Sequence, residues 1–290
     1  MHLILDFDGT ITQLDTTAEL VLAAIRRQRR HHQSDLLAAW TDAVQAYMQE
    51  YHAFKANYTP TRDQRTTPAQ EDAYLASLRP IEEASLTRIS HSGLFRDLED
   101  TDLYEMGVEV ISEGIVAIRS GWGAVLREAI RRGIPVTILS VNWSTSFIRG
   151  VLSCMKGGPS VEGVKVIANH LSEEGEIIGP GGDSECRLMT SQDKLETLRR
   201  EIPAGEKMVY VGDSVTDLGC LMEVSRGVAL ASEEGGDGPP LLLNTLRRIG
   251  VELVPVGEVD RAVREEGSGK KVVFWAKEVE ELLESGALWI

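Results

Sequence analysis

The stretch HLILDFDGTI, His2 to Ile11, closes an apolar run with two aspartates one residue apart and then a glycine. Apolar residues followed by Asp-x-Asp-Gly read as a buried strand that stops at a turn. Adjacent strand residues point to opposite faces, so positions i and i+2 at a strand end lie on one side. Asp6 and Asp8 can therefore aim at the same place. Alone, DFDGT reads equally as a turn whose aspartates cap nearby backbone, so its meaning depends on what else arrives there.

Working outward, further β-rich apolar runs lie at Ile134 to Leu139, Met208 to Val211, Val228 to Leu230 and Val251 to Val256. Amphipathic segments such as GAVLREAIRRG (Gly123 to Gly133) and DKLETLRREI (Asp193 to Ile202) separate most of them. Strands alternating with helices predict an α/β fold with a parallel sheet flanked by helices. VKVIANHL and GEIIG, around the turn SEEGE, predict a hairpin attached after the second sheet strand. From Asp15 to Gly114 the alternation stops. TTAE at Thr16 and TPAQ at Thr67 are capping-box patterns, the latter with Pro68 at the first helical position. Long helix-periodic stretches follow, and Pro80 is expected to kink or end the second of them. The expected domains are therefore 1–14 with 115–290 as a core, and 15–114 as an inserted all-helical unit. SEEGGDGPP (Ser232 to Pro240) reads as a surface loop, the region after Gly250 reads as an added strand and a terminal helix, and VVFWAKEVEELL (Val272 to Leu283) has helix-like apolar spacing toward its end that makes Trp275 and Leu282 core residues.

A chain of 290 residues, 42% hydrophobic, can bury a sizeable core. Its net charge of −15 argues against nucleic acid and anionic membrane as partners. The basic run RRQRRHH, Arg26 to His32, is the local exception, read either as a solvated helix C-terminus or as a contact for an anion. Three widely spaced cysteines without a C-x-x-C pair suggest neither disulfides nor zinc, and with no apolar run of membrane-spanning length the expected location is cytoplasmic.

In an open parallel sheet, ligands bind beyond the carboxyl ends of the strands. Asp6 and Asp8 follow the first strand, Ser140 follows IPVTIL, and Asp213 and Asp217 follow KMVYV in GDSVTD. Four carboxylates at one rim raise each other's pKa unless a cation joins them, and oxygen ligands beside a bound phosphate suit magnesium. Lys194 falls in the first turn of a helix, where a cation is disfavoured by roughly 0.3–1 kcal/mol, so it needs another task such as holding phosphate oxygens. Nucleophile, metal and donors are the requirements of phosphoryl transfer. Asp6 can attack phosphorus while Asp8, if protonated, serves the leaving oxygen and then water.

These four elements resemble the haloacid dehalogenase (HAD) superfamily: DFDGT its first motif, the Ser140 that closes TILS its second, Lys194 its third and GDSVTD its fourth. VKVIANHLSEEGEIIG is similar to a segment of the phosphoserine-phosphatase-like branch, and ILSVNWSTSFI to fungal-type HAD-like hydrolases. The resemblance implies a Rossmann-like HAD core with an inserted C1 helical cap. It implies Asp6 as nucleophile forming an aspartyl-phosphate and Asp8 as general acid/base. It also implies Mg2+ on Asp6, Asp8 through its carbonyl, Asp213 and Asp217 directly or through water, with Ser140 and Lys194 on the phosphoryl group. Asn142 stands open between a substrate contact and a cap of the next helix. Family dehalogenases lack the second aspartate of the first motif, so Asp8 favours phosphate release. The branch carries glycines where this chain has Val141, Asn142 and Trp143, which argues against serine phosphate, and Trp143 reads as packing between core and cap. The expected activity is a magnesium-dependent phosphatase of a small phosphorylated metabolite. The alternatives are a phosphomutase or phosphotransferase, a diphosphate-processing hydrolase, or a non-catalytic metabolite-binding protein. Oligomeric state stays open.

Overall fold

The structure, a computed structural model, describes residues 1–29, 36–156, 163–183, 186–203, 205–231, 241–259 and 271–290. β1 (His2–Leu5) lies between β2 (Val136–Leu139) and β6 (Met208–Gly212). β3 (Lys165–Ile167) flanks β2, and β7 (Arg226–Leu230) flanks β6. β9 (Val272–Ala276) and then β8 (Glu252–Pro255) complete the order β3-β2-β1-β6-β7-β9-β8, all parallel. The alternation of side chains along β1 serves two cores. Leu3 and Leu5 join one buried cluster with Val209 and Val211, whereas Ile4 joins the opposite one with Tyr210.

One expectation from the pattern changes and another gains detail. Lys165–Ile167 is an edge strand of the main sheet, so the hairpin shrinks to β4 (His170–Leu171) against β5 (Ile177–Ile178). Val272–Ala276 is a strand between β7 and β8, because its β-branched and aromatic residues pack well on a surface paired at both edges. The terminal helix is shorter than the pattern suggests, Val279–Glu284, with Leu282 fully buried and Trp275 packed against the second core cluster. The Ser232 to Pro240 loop lies outside the described residues.

Between β1 and β2 run α1 (Thr17–Gln28), α2 (Leu36–Asn57), α3 (Pro68–Ala76), α4 (Arg79–His91), α5 (Asp100–Ser112) and α6 (Trp122–Arg131). Entry and exit of this helical insertion are zipped together. Thr12 bridges Ile118, Gln13 N–H donates to Ala117 O at 2.9 Å, and Arg119 N–H to Ile11 O at 2.9 Å. Thr67 caps α3 through the Gln70 N–H, as its capping box predicts. Pro80 both separates and starts helices: α3 ends at Ala76, and the proline occupies the first turn of α4, where its missing N–H costs nothing. Thr16 makes no side-chain cap. Arg27 of the basic run reaches Asp102, Glu105 and Glu109 on α5 at 2.7–2.9 Å, so it clamps two helices; positions 30–32 lie outside the described residues.

α5 crosses α7 (Thr145–Ser153), which follows β2, at backbone contact. A Cβ at Gly150 would collide with Tyr104 O and one at Gly107 with Phe147 O. This seam holds the insertion against the sheet side of the molecule. The expected result for Gly150→Ala is a loss of about 1–3 kcal/mol of stability as the helices are forced apart, read from denaturant unfolding of variant and wild type.

Candidate active site

Asp6 directly follows β1 and takes the face of Ile4, two residues earlier, which is covered by α8 (Ser191–Glu201). Its N–H donates to Val211 O at 2.9 Å, tying it to β6. α8 starts at Thr190, whose side chain accepts from Asp193 N–H, while the Asp193 carboxylate accepts from Met189 and Thr190 N–H. That rigid start puts Lys194 directly behind Asp6. Its Nζ donates to Asp6 Oδ1 and to Asp217 Oδ1, both at 2.6 Å, and the side chain is 0% exposed. Burial opposes the lysine's charge, but Asp217 and Asp6 outweigh it and hold it protonated.

Asp217 is the most heavily bonded of the carboxylates. Tyr210 OH donates to Oδ1 at 2.6 Å, and the N–H groups of Asp213 and Ser214 donate to Oδ2 at 3.1 and 3.0 Å. Asp213 lies at the front of the same loop. Thr10 Oγ1 donates to its Oδ1 at 2.8 Å, and its carboxylate occupies the space a Cβ on Gly9 would need. Gly9 also has φ +71°, so both conformation and clearance demand glycine there. Arg119 Nε donates to Gly9 O at 3.0 Å and Trp122 Nε1 to Thr10 O at 2.8 Å, pinning the turn from beneath.

One carboxylate oxygen each from Asp6, Asp213 and Asp217 lie within 4.8 Å of one another. Burial and then the Asp217 charge push Asp213 up to about 7. Burial is also the main cause that raises Asp6, with Asp217 adding to it against Lys194. One ammonium therefore faces three carboxylates, and an all-oxygen set with excess negative charge fits a hard divalent cation.

The Asp8 carboxylate points elsewhere. Thr16 N–H and Oγ1 donate to its Oδ1 at 2.8 and 2.6 Å, and Asn142 Nδ2 donates to Oδ2 at 2.9 Å. Burial, with the charge of Asp15, lifts Asp8 to about 6 against the lowering effect of those donors. Asn142 thus resolves into a third role: it reaches Asp8, while Ser144 caps α7 by accepting from Phe147 N–H at 3.1 Å. Ser140 is fully buried, and its Oγ accepts from Asn142 N–H at 3.0 Å. All of Asp6, Asp8, Ser140, Asn142, Lys194, Asp213 and Asp217 converge at the carboxyl ends of β1, β2 and β6.

Reading the chain missed Thr10, Thr16, Tyr210 and Asn169. The pattern made Thr16 a helix cap, although its hydroxyl is spent on Asp8. Asn169 Nδ2 donates to the carbonyls of Val141, Asn142 and Leu188, and its Oδ1 accepts from Leu188 N–H, joining the loop after β2 to the entry of α8. Nothing local marks such a residue, since its three acceptors meet only in the fold.

The haloacid dehalogenase-like hydrolase family model matches residues 3–222, which include every one of these positions. The chain belongs to that family. Over 94% of its length and 95% of the relative's, it is 28% identical to a CTO1 family protein of Schizosaccharomyces pombe. Among solved structures it resembles a cytosolic 5'-nucleotidase IIIB bound to cytidine, at 13% identity and TM-score 0.54, covering 99% of this chain and 83% of that one. It also resembles a substrate-bound phosphoserine phosphatase, at 14% identity and TM-score 0.47, covering 97% and 96%. The likeness to the nucleotidase shows a shared fold alone. No helix among the described residues is long and apolar enough to cross a membrane.

The raised carboxyls make stability depend on pH in a definite direction. Asp8 and Asp213 are more readily protonated folded than unfolded, so their contribution is full below about pH 4 and is lost as pH climbs through about 6 and about 7. A divalent cation offsets the repulsion once they ionise. Scanning calorimetry of the metal-free protein is expected to show this loss between pH 4 and 7, with added magnesium raising Tm more at pH 8 than at pH 5.

Proposed function

We propose that this HAD-family hydrolase is a magnesium-dependent phosphatase that releases phosphate from a small phosphorylated metabolite through an aspartyl-phosphate on Asp6. The observation that carries the reading is the division between two carboxylates two residues apart. Lys194 donates to Asp6 at the sheet edge and, together with a divalent cation, would offset the burial and the Asp217 charge that raise its pKa, while Asp8 has its pKa lifted to about 6 on a separate set of neutral donors. One is suited to attack and the other to proton transfer near neutral pH.

In this mechanism an oxygen of Asp6 attacks phosphorus as the bond to the leaving alcohol breaks, and Asp8 gives its proton to that alcohol oxygen. Asp8 then takes a proton from water, whose oxygen attacks phosphorus, frees phosphate and returns Asp6 as a carboxylate. Ser140 offers a hydroxyl to the phosphoryl oxygens. Lys194 acts from behind Asp6, where its charge is shared with Asp217. Asp6 and Asp213 would hold magnesium with Asp217 beside them, and the ion supplies charge neutralisation for nucleophile and phosphate. Residues 15–114 act as the cap and 1–14 with 115–290 as the catalytic core, the cap excluding water from the first step. The partner is a metabolite rather than nucleic acid or membrane, in keeping with the net charge of −15. The three widely spaced cysteines, without a C-x-x-C pair, suit a reducing cytosol.

Two measurements test the chemistry. Across a panel of phosphomonoesters, phosphate release is expected to require magnesium and to fall at least about 1,000-fold in Asp6→Asn. In Asn142→Ala, losing the donor that stabilises the Asp8 carboxylate is expected to move the Asp8 limb of the pH–rate profile above about 6, with magnesium affinity unchanged.

A further inference from the structure

A cavity of about 350 Å3 opens between α2 and α4 of the insertion and the loops that follow β1 and β2. Its floor includes Val141, Thr17 and Thr216, immediate chain neighbours of Asn142, Thr16 and Asp217. The volume falls at the lower end of the roughly 300–1,000 Å3 common for small-molecule sites. Its walls are mostly apolar: Trp40, Leu86, Ile89, Trp143 and Leu188. Trp143 meets Trp40 and Phe95 edge-on, at ring-centroid distances of 6.4 and 6.3 Å, so the aromatic wall is braced from two sides.

The charged groups at this cavity are acidic, and they stand beside the hydroxyls of Thr17, Ser85 and Thr216. Glu82 lines it, and Tyr47 OH donates to Glu82 Oε1 at 2.8 Å; among the described residues the Glu82 carboxylate has no other hydrogen-bond or ion-pair partner. Asp15 lies at the same cavity, and no Lys, Arg or His lines it among the described residues. The nearby arginines are committed outside it, Arg88 to Glu50 at 2.8 Å and Arg187 to Glu83 at 3.0 Å. A second anionic group on a substrate would meet carboxylates and aromatic faces, with no cation to offset its desolvation. A hydrogen-bond donor or a cation would meet the free acceptor of Glu82 and the negative faces of Trp40 and Trp143.

We infer that the leaving alcohol is aromatic or otherwise apolar, carries a neutral or cationic hydrogen-bond donor for Glu82, and bears no second anion. The inference rests on the phosphatase reading for the position of the phosphate and adds the substrate class. Glu82 is a specificity residue at the far wall, with no part in the bond-breaking step. Amino-acid phosphates with a free carboxylate and bisphosphates are excluded by the same electrostatics.

The test uses three matched esters: benzyl phosphate, 4-(aminomethyl)benzyl phosphate and 4-carboxybenzyl phosphate. Turnover by the wild-type protein and equilibrium binding to folded Asp6→Asn, both with magnesium, are measured separately. The aminomethyl ester is expected to exceed the carboxy ester at least about tenfold in kcat/KM and in affinity. Glu82→Gln should shrink that ratio, and Glu82→Lys should reverse it, with melting temperature confirming that each variant folds. Equal or better binding of the carboxy ester, or a ratio indifferent to Glu82→Gln, overturns the inference. Absence of turnover with the expected binding order overturns the phosphatase reading and leaves the substrate class supported.

Discussion

A single buried ammonium holds the site together. Lys194 is fully enclosed and divides its hydrogen bonds between Asp6 after β1 and Asp217 after β6, 2.6 Å from each. A buried charge is costly unless paired, and removing either partner leaves the other stranded, so the end of β1, the loop after β6 and the start of α8 are tied to one geometry. The lysine also occupies a first helical turn, where the helix dipole disfavours it. The two carboxylates outweigh that cost, and the excess negative charge left with Asp213 is what a divalent cation would neutralise.

Around this clamp, two neighbouring aspartates acquire different properties through different donors. Asp6 faces a cation, whereas Asp8 faces the neutral donors Thr16 and Asn142 and the charge of Asp15. Neutral donors moderate the effect of burial without cancelling it, so Asp8 titrates close to neutrality while remaining two residues from Asp6. The Gly9 turn that follows them is held by Arg119 and Trp122.

The helical insertion contributes to the chemistry by position. It is locked to the sheet side through the α5–α7 seam, and a second buried group ties it to α9 (Leu241–Arg248): Glu71 accepts from Arg65 at 2.8 Å and from Arg248 at 2.9 Å. These contacts set α2 and α4 over the carboxyl ends of the strands and enclose an apolar, acidic cavity there. Val141 and Trp143 line that cavity.

The sequence by itself determined the parallel α/β order, the helical insertion and the residues that meet at the site. Strand and helix periodicity, capping residues and the Asp-x-Asp-Gly turn are local, and a parallel sheet brings residues after successive strands to one edge by topology alone. It was ambiguous where local pattern competes with pairing. VVFWA, a run with helix-like spacing only in the residues that follow it, becomes a strand once β7 and β8 flank it, and VKVI leaves its hairpin for the open edge of β2. Only the tertiary structure decided the partners: that Asn142 and Thr16 serve Asp8, that Tyr210 and Lys194 share Asp217, and that Asn169 gathers three carbonyls. Those bonds join residues up to 134 positions apart, and hydrogen-bond geometry over such separations is set by packing of the whole chain rather than by any local pattern.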